Sequence, residues 1–501
     1  MTPSYAALFR NHGALMVAAL GATFLGSLDA LMVTTALPTA AQDIGGVGLI
    51  AVTVGAYTVA VAMTFPVAGA VIDREGVAWS FALACGLFAV ANVIGGLAPS
   101  MPVVALSRLI LGAGAGFMFA VPLGLFAVSI PEALRPRAFG INAAMWGVSA
   151  LVGPLLGAVL TATVGWRWVF WINLPMIATV AWAGAMSLRG RARPAAANAG
   201  QPLNLLGPIM LGAIVAVLLA VTRHWLPAAF LVPLALLPAA LFVWYERRAA
   251  APVFTHTANS IAANVAAFGA GVAFLGAETY LPLQLQVGFV HGIDLPGYNL
   301  SGVRLVGIAL LLCTLGWTAG SMGAARVNSR PRSQIMLGTA LTFAATAVMA
   351  IPAGGASVPV LGYAVSGLGM GIASPALFTA VLVDGGEGRE GRATSSIPLT
   401  RQVGSGTGAA IAGIVFAATL SAAQIGAAEH AGAHVPAVVH AARLTYLAVT
   451  AVSAVGFIAC FWLRRDLAAP GHAERPLPEV AEFPSAGAAE AGSEPAVRGT
   501  G

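Results

Sequence analysis

The chain has 501 residues, of which 58% are hydrophobic and 8% charged, whereas an ordinary soluble chain is about 25% charged. That deficit excludes a soluble globular enzyme, a disordered protein and a nucleic-acid binder. Net charge is +6, and all 24 basic residues are Arg; with no Lys, no Walker-type phosphate loop can form, so the chain carries no ATP motor.

A membrane helix needs about 20 mostly apolar residues. That ruler predicts an all-α integral membrane protein with fourteen spans, in chain order 14–37, 50–72, 79–98, 103–127, 138–161, 167–187, 205–222, 227–245, 261–287, 302–322, 334–352, 358–382, 399–421 and 441–463. Arginines concentrate in alternate loops, among them Arg10, Arg74, Arg135, Arg137, Arg189, Arg247, Arg326, Arg389 and Arg464. By the positive-inside rule those loops and both termini are cytoplasmic. The spans group as six, two and six: a first bundle in 1–190, a linker with two extra helices in 191–258, a second bundle in 259–465, and an Ala/Pro/Glu/Gly-rich tail, 466–501, expected to be disordered. Repeated halves are common in transporters, with the substrate site between them near the bilayer midplane. Cys85, Cys313 and Cys460 all lie in apolar stretches, which suggests neither a disulfide framework nor a zinc site. His291, His430, His434 and His440 fall in or beside exterior loops without metal-ligand spacing, so no metal is expected.

Two acids stand inside predicted spans at similar depth, Asp29 in the first and Glu278 in the first of the second half. A charged acid at the bilayer centre costs about 2.5–3.5 kcal/mol on insertion scales, so such residues usually face a cavity and do work. Proton carriage or a counter-charge for cationic substrates is the functional reading; a neutral acid bonded to a neighbouring helix is the plain one. Arg108 is the one basic residue well inside the first bundle, and its guanidinium keeps its proton. It needs an acid or carbonyls nearby, either to help an acid release a proton or to tie helices together. Arg401 lies near the start of its predicted span, close enough to the cytoplasm to snorkel. Gly147, Gly153 and Gly157 with Pro154 allow close helix approach and a bend. Asp73 and Arg74, with Gly69 and Gly76, mark a cytoplasmic span end, where Asp73 can meet a helix N-terminus in one conformation and leave it in another. Tyr57, Asn142, Met145, Trp146, Tyr280, Gln284 and Gln286 are candidate cavity-lining residues, suited to a broad apolar ligand.

The run Leu28-Asp29-Ala30-Leu31-Met32-Val33-Thr34-Thr35-Ala36-Leu37-Pro38-Thr39 resembles the first-helix motif of the fourteen-span drug:proton antiporters of the major facilitator superfamily. Gly165-Trp166-Arg167-Trp168-Val169-Phe170-Trp171-Ile172-Asn173-Leu174-Pro175 is similar to that family's sixth-span signature nearly residue for residue. Ser107-Arg108 with Gly112, Gly114 and Gly116 is similar to its fourth-span motif, Gly153-Pro154-Leu155-Leu156-Gly157 to its antiporter motif, and Arg401-Gln402-Val403-Gly404 to a run near the penultimate span. Gly69 to Gly76 fits the superfamily's loop between spans two and three, except that Val77, Ala78 and Trp79 replace the expected basic residues. The resemblance covers about residues 14–463 and implies the major facilitator fold. It further implies efflux of hydrophobic or cationic compounds, no cofactor but the proton gradient, a place in the bacterial cytoplasmic (inner) membrane and, as in some relatives, a periplasmic adaptor protein. Small-molecule substrates and the lipid bilayer are the other expected partners. A proton symporter for a small nutrient needs a more polar cavity than these spans offer. A membrane enzyme or sensor finds no catalytic motif such as Gly-x-Ser-x-Gly or His-Glu-x-x-His and no soluble sensing domain.

Overall fold

A computed structural model of the chain describes residues 5–46, 49–188, 204–222, 237, 240–249, 252–285, 293–295, 298–300, 303–327, 330–351, 355–383, 389–419 and 436–464. The Arg189, Arg191 and Arg193 loop, most of the predicted 227–245 span, Gln286, His291, His430, His434 and the 466–501 tail lie outside them.

The helices are α1 Tyr5–Asp43, α2 Ile50–Glu75, α3 Val77–Gly96, α4 Met101–Ser129, α5 Arg135–Thr163, the short α6 Trp168–Trp171, α7 Asn173–Leu188 and α8 Leu206–Thr222. The second half holds α9 Ala258–Glu278, the short α10 Leu281–Leu283, α11 Val303–Ala324, α12 Pro331–Met349, α13 Ser357–Val383, α14 Glu390–Thr419 and α15 Pro436–Ala459. A small antiparallel hairpin, β1 Ile293–Leu295 and β2 Tyr298–Leu300, lies where the sequence predicts a loop, with Ile293 opposite Leu300.

Among the described residues, ten helices are long and apolar enough to cross a membrane. This falls short of the fourteen predicted spans for physical reasons. Polar residues run through α12 (Thr339, Thr342, Thr346) and α14 (Thr394, Ser395, Ser396, Arg401), and the predicted 227–245 span is described mainly over its last residues.

Packing repeats between the halves. In the first, α1 packs on α5, and α4 lies against α2 and α3; in the second, α9 packs on α14, and α13 lies against α11 and α12. The halves meet where α14 crosses α2 and α4 and where α5 crosses α11 and α13, while α8 rests against both α2 and α14. The exterior is apolar: Trp79, Leu97, Leu155, Trp182, Leu361, Leu447 and Trp462 are all more than half exposed. That surface suits lipid contact and would be a liability in water. Polar groups turn inward instead, where helices satisfy them; Ser27, for example, bonds to Ser149 across the α1–α5 contact.

α5 shows how the pattern works. Leu151, Leu155 and Val159 form its exposed row at four-residue spacing. Gly153 and Gly157 face α1, where a Cβ would run into the Leu28 and Met32 carbonyls. Gly147 faces α11 of the other half, where a Cβ would meet Thr318 and Thr314. The three glycines of the predicted motif therefore serve two different interfaces.

Candidate functional site

The end of the molecule formed by the C-terminus of α2 carries a contact between the halves. Gly76 ends α2 with φ 90°, a conformation that favours glycine, and α3 starts directly after it. Asp73, one turn earlier, is buried, and its carboxylate caps the N-terminus of α14. Gly391 N–H donates to Oδ1 at 2.7 Å, Arg392 N–H donates to Oδ2 at 3.1 Å, and the Arg392 guanidinium lies 4.0 Å away. Gly69 permits the crossing, since a Cβ there would strike the Gly391 carbonyl. The predicted meeting of Asp73 with a helix N-terminus thus has its partner in the opposite half. Arg74 takes no part and pairs locally with Glu75 at 2.9 Å.

At the other end, the sixth-span run forms a clamp. The Trp166 indole N–H donates to Asp43 Oδ2 at 2.9 Å, and Arg167 donates to the same oxygen at 3.1 Å while lying 4.2 Å over the Trp166 ring. α1 is thereby fixed to the α5–α6 turn.

Asp29 is fully buried between these two ends. Arg108 Nη1 donates to its Oδ2 at 2.6 Å and Asn173 Nδ2 to its Oδ1 at 2.6 Å. Asn173 also reaches Asn92 Oδ1 at 2.8 Å, so α1, α3, α4 and α7 converge on one polar cluster. The Arg108 guanidinium lies 4.3 Å over the Tyr57 ring, and its Nε has no partner among the described residues. Sequence reasoning named Asp29 and Arg108 but assigned no role to Asn173, although it stands inside the most specific motif, and missed Asn92.

Glu278 is the last residue of α9, and Pro282 follows four positions later. A proline donates no N–H and clashes with the carbonyl four residues back, so the helix breaks there. Tyr363 of α13 hydrogen-bonds the Glu278 carboxyl, and Cys313 of α11 bonds the same tyrosine. Tyr280 stacks on Phe416 with ring centroids 3.6 Å apart, and Gln284 accepts a hydrogen bond from the Tyr446 hydroxyl.

A cavity of about 180 Å³ lies between the halves, lined by Ala30, Tyr57, Phe65, Phe119 and Trp146 of the first and Arg401 of the second, among others. An adjoining space of about 30 Å³ shares Phe65, Phe119, Trp146 and Arg401 and adds Asn142, Ser374 and Trp317. Tyr57, Asn142 and Trp146 therefore reach the cavity as expected, while half-buried Met145, Tyr280, Gln284 and both acids are not among its lining residues. Asp29 is separated from it by the Arg108–Tyr57 stack. Arg401 lines the cavity. α14 begins nine residues before the predicted span, so Arg401 stands eleven residues, about 16 Å, into the helix. It turns to the cavity over Trp317 at 5.5 Å.

Glu246, at the end of helical residues 240–246, accepts a 2.7 Å bond from Phe254 N–H and ties the extra helix to the approach to α9. Burial pushes its carboxyl above the usual range, against the lowering effect of the Phe254 and Val253 N–H groups.

The described residues, helical apart from one small hairpin, form an apolar exterior, two similarly packed halves and a cavity between them, the architecture of a multi-pass membrane protein. Its sequence matches the Major Facilitator Superfamily over residues 19–409, and the chain belongs to that family. An uncharacterized MFS-type transporter of Mycobacterium tuberculosis is 29% identical over 86% of this chain and 66% of its own length, so the chain spans just under two thirds of that relative. The multidrug resistance protein Stp of the same organism is 28% identical over 80% of this chain and 75% of its own. The fucose:proton symporter of E. coli has the same fold, with a TM-score of 0.55 at 13% identity, the match covering 88% of this chain and 98% of that one. Family and relatives are transporters, not enzymes.

Proposed function

We propose that the protein exports hydrophobic aromatic compounds in exchange for protons, by alternating access, as a fourteen-span transporter of the bacterial cytoplasmic membrane with both termini inside. The observation that carries the reading is the Asp29–Arg108–Asn173 cluster behind Tyr57 on the cavity wall. A buried ion pair is weak support for stability, because desolvation offsets most of the attraction. Its value here is chemical. Arg108 and Asn173 both donate to the Asp29 carboxyl in this conformation; moving the guanidinium away leaves an acid that is stable at that depth only when it takes up a proton or gains water.

The Asp73 contact supplies the conformational element. It joins the halves at the end read as cytoplasmic, and the conformation described is closed there. Breaking it and closing the opposite end gives the second state, so proton entry and substrate exit use one cavity in turn. The fourteen-span count is carried by the sequence, with α8, α12 and α14 overlapping three of the four predicted spans beyond the ten clear ones, and the multidrug relative supports drug-like substrates.

Inverted vesicles from cells producing the protein test this. With an imposed proton gradient they accumulate a transported dye from a panel of aromatic compounds, and a protonophore releases it. Accumulation indifferent to the protonophore refutes proton coupling.

A further inference from the structure

The cavity's fixed charge is positive. Arg401 lines both of its compartments, and neither compartment has an acidic lining residue. No carboxylate among the described residues comes within ion-pair distance of Arg401. The two nearby acids of the membrane interior are engaged elsewhere, Asp29 by Arg108 and Asn173, and Glu278 by Tyr363. Two further polar groups at the cavity are buried without partners among the described residues: the Trp317 indole N–H, beneath Arg401, and the Tyr57 hydroxyl.

Unpaired buried donors are expensive, and half-buried Arg401 brings a guanidinium to the same cavity. A guanidinium, an indole N–H that can only donate and a hydroxyl free to donate ask for one kind of ligand, an anion with several acceptor oxygens. The surrounding walls are aromatic, with Trp146 tilted against Phe119 at 4.8 Å and Phe119 stacked on Phe65 at 6.0 Å. A volume of about 180 Å³, with about 30 Å³ adjoining, exceeds the about 150 Å³ of a cavity that holds benzene and so admits an aromatic body.

We infer that the cavity recognises aromatic acids, taking their carboxylate or sulfonate on Arg401 and the Trp317 N–H, and disfavours cations. This rests on reading the cavity as the transport site and reverses the cationic preference that the isolated acids suggest in the sequence.

The test uses three ligands of one shape and fixed charge: 2-naphthalenesulfonate, 2-naphthalenesulfonamide and 2-naphthyltrimethylammonium. Affinities are measured by tryptophan fluorescence and equilibrium dialysis on the full chain in detergent. The sulfonate binds about tenfold or more tighter than the other two, the size expected of a charge-assisted contact. Arg401→Gln abolishes the preference, Arg401→Lys keeps part of it, and Trp317→Phe weakens sulfonate binding alone. Gel filtration checks that each variant is folded; if Arg401→Gln is not, the parent's ligand order and Arg401→Lys decide. Equal or tighter binding of the ammonium, or a sulfonate preference that survives Arg401→Gln, overturns the inference. Vesicle transport of an uncharged aromatic dye is scored separately. Dye export together with an ammonium preference sinks only this inference, and a sulfonate preference without export sinks only the export reading.

Discussion

Asp73→Ala should shift the protein away from the conformation described here. The carboxylate accepts two backbone N–H bonds, at 2.7 and 3.1 Å, from the first turn of α14, with Arg392 4.0 Å away. A helix cap of this kind contributes about 0.5–2 kcal/mol, and a partly buried charge at the N-terminus up to about 2 kcal/mol. Because the two overlap, a net loss of about 2 kcal/mol is expected, a change of about 30-fold in the equilibrium between closed and open at this end. Asp73→Asn keeps one acceptor without the charge and should fall between. Spin labels on cysteines introduced at exposed Glu75 and half-buried Glu390, in a chain whose Cys85, Cys313 and Cys460 are replaced, report the α2–α14 separation by pulsed electron resonance. The parent gives one short distance; Asp73→Ala adds a longer population that dominates. A distance distribution unchanged by Asp73→Ala refutes the latch.

Further outcomes follow from the packing. Arg108→Leu strands the Asp29 carboxylate and should destabilise by about 3–5 kcal/mol, seen as a lowered thermal transition in detergent; adding Asp29→Asn should restore much of it. Gly157→Leu drives a side chain into Thr35 and the Met32 carbonyl of α1 and should cost about 1–3 kcal/mol or more of stability. Gly147→Leu should instead strike α11 and impair transport by keeping the halves apart, since its neighbours Thr314 and Thr318 belong to the other half. Uptake assays on correctly inserted variants separate the two.

Much of this site is legible in the sequence because apolar spans make each polar interior residue conspicuous. Asp29 and Arg108 stand out for that reason, and the structure brings them together across 79 residues. Asn173, six residues inside the predicted 167–187 span, carries no charge to mark it out. Glu278 stands where α9 gives way at Pro282, a break that hydropathy does not register. The helix carrying Arg401 starts earlier than hydropathy suggests, because Thr394, Ser395 and Ser396 bond back to their own backbone. The Asp73–α14 contact spans 318 residues, and only the fold discloses which helix start the acid meets.

Proton coupling at Asp29 is the central claim, and its most direct test is proton movement driven by substrate. Proteoliposomes loaded with a pH-sensitive dye are given a downhill gradient of a transported aromatic compound of fixed charge, with membrane potential clamped. The parent should move protons opposite to the compound. Asp29→Asn should bind the compound with similar affinity, since Asp29 does not line the cavity, and move no protons. Proton movement by Asp29→Asn equal to that of the parent would contradict the account.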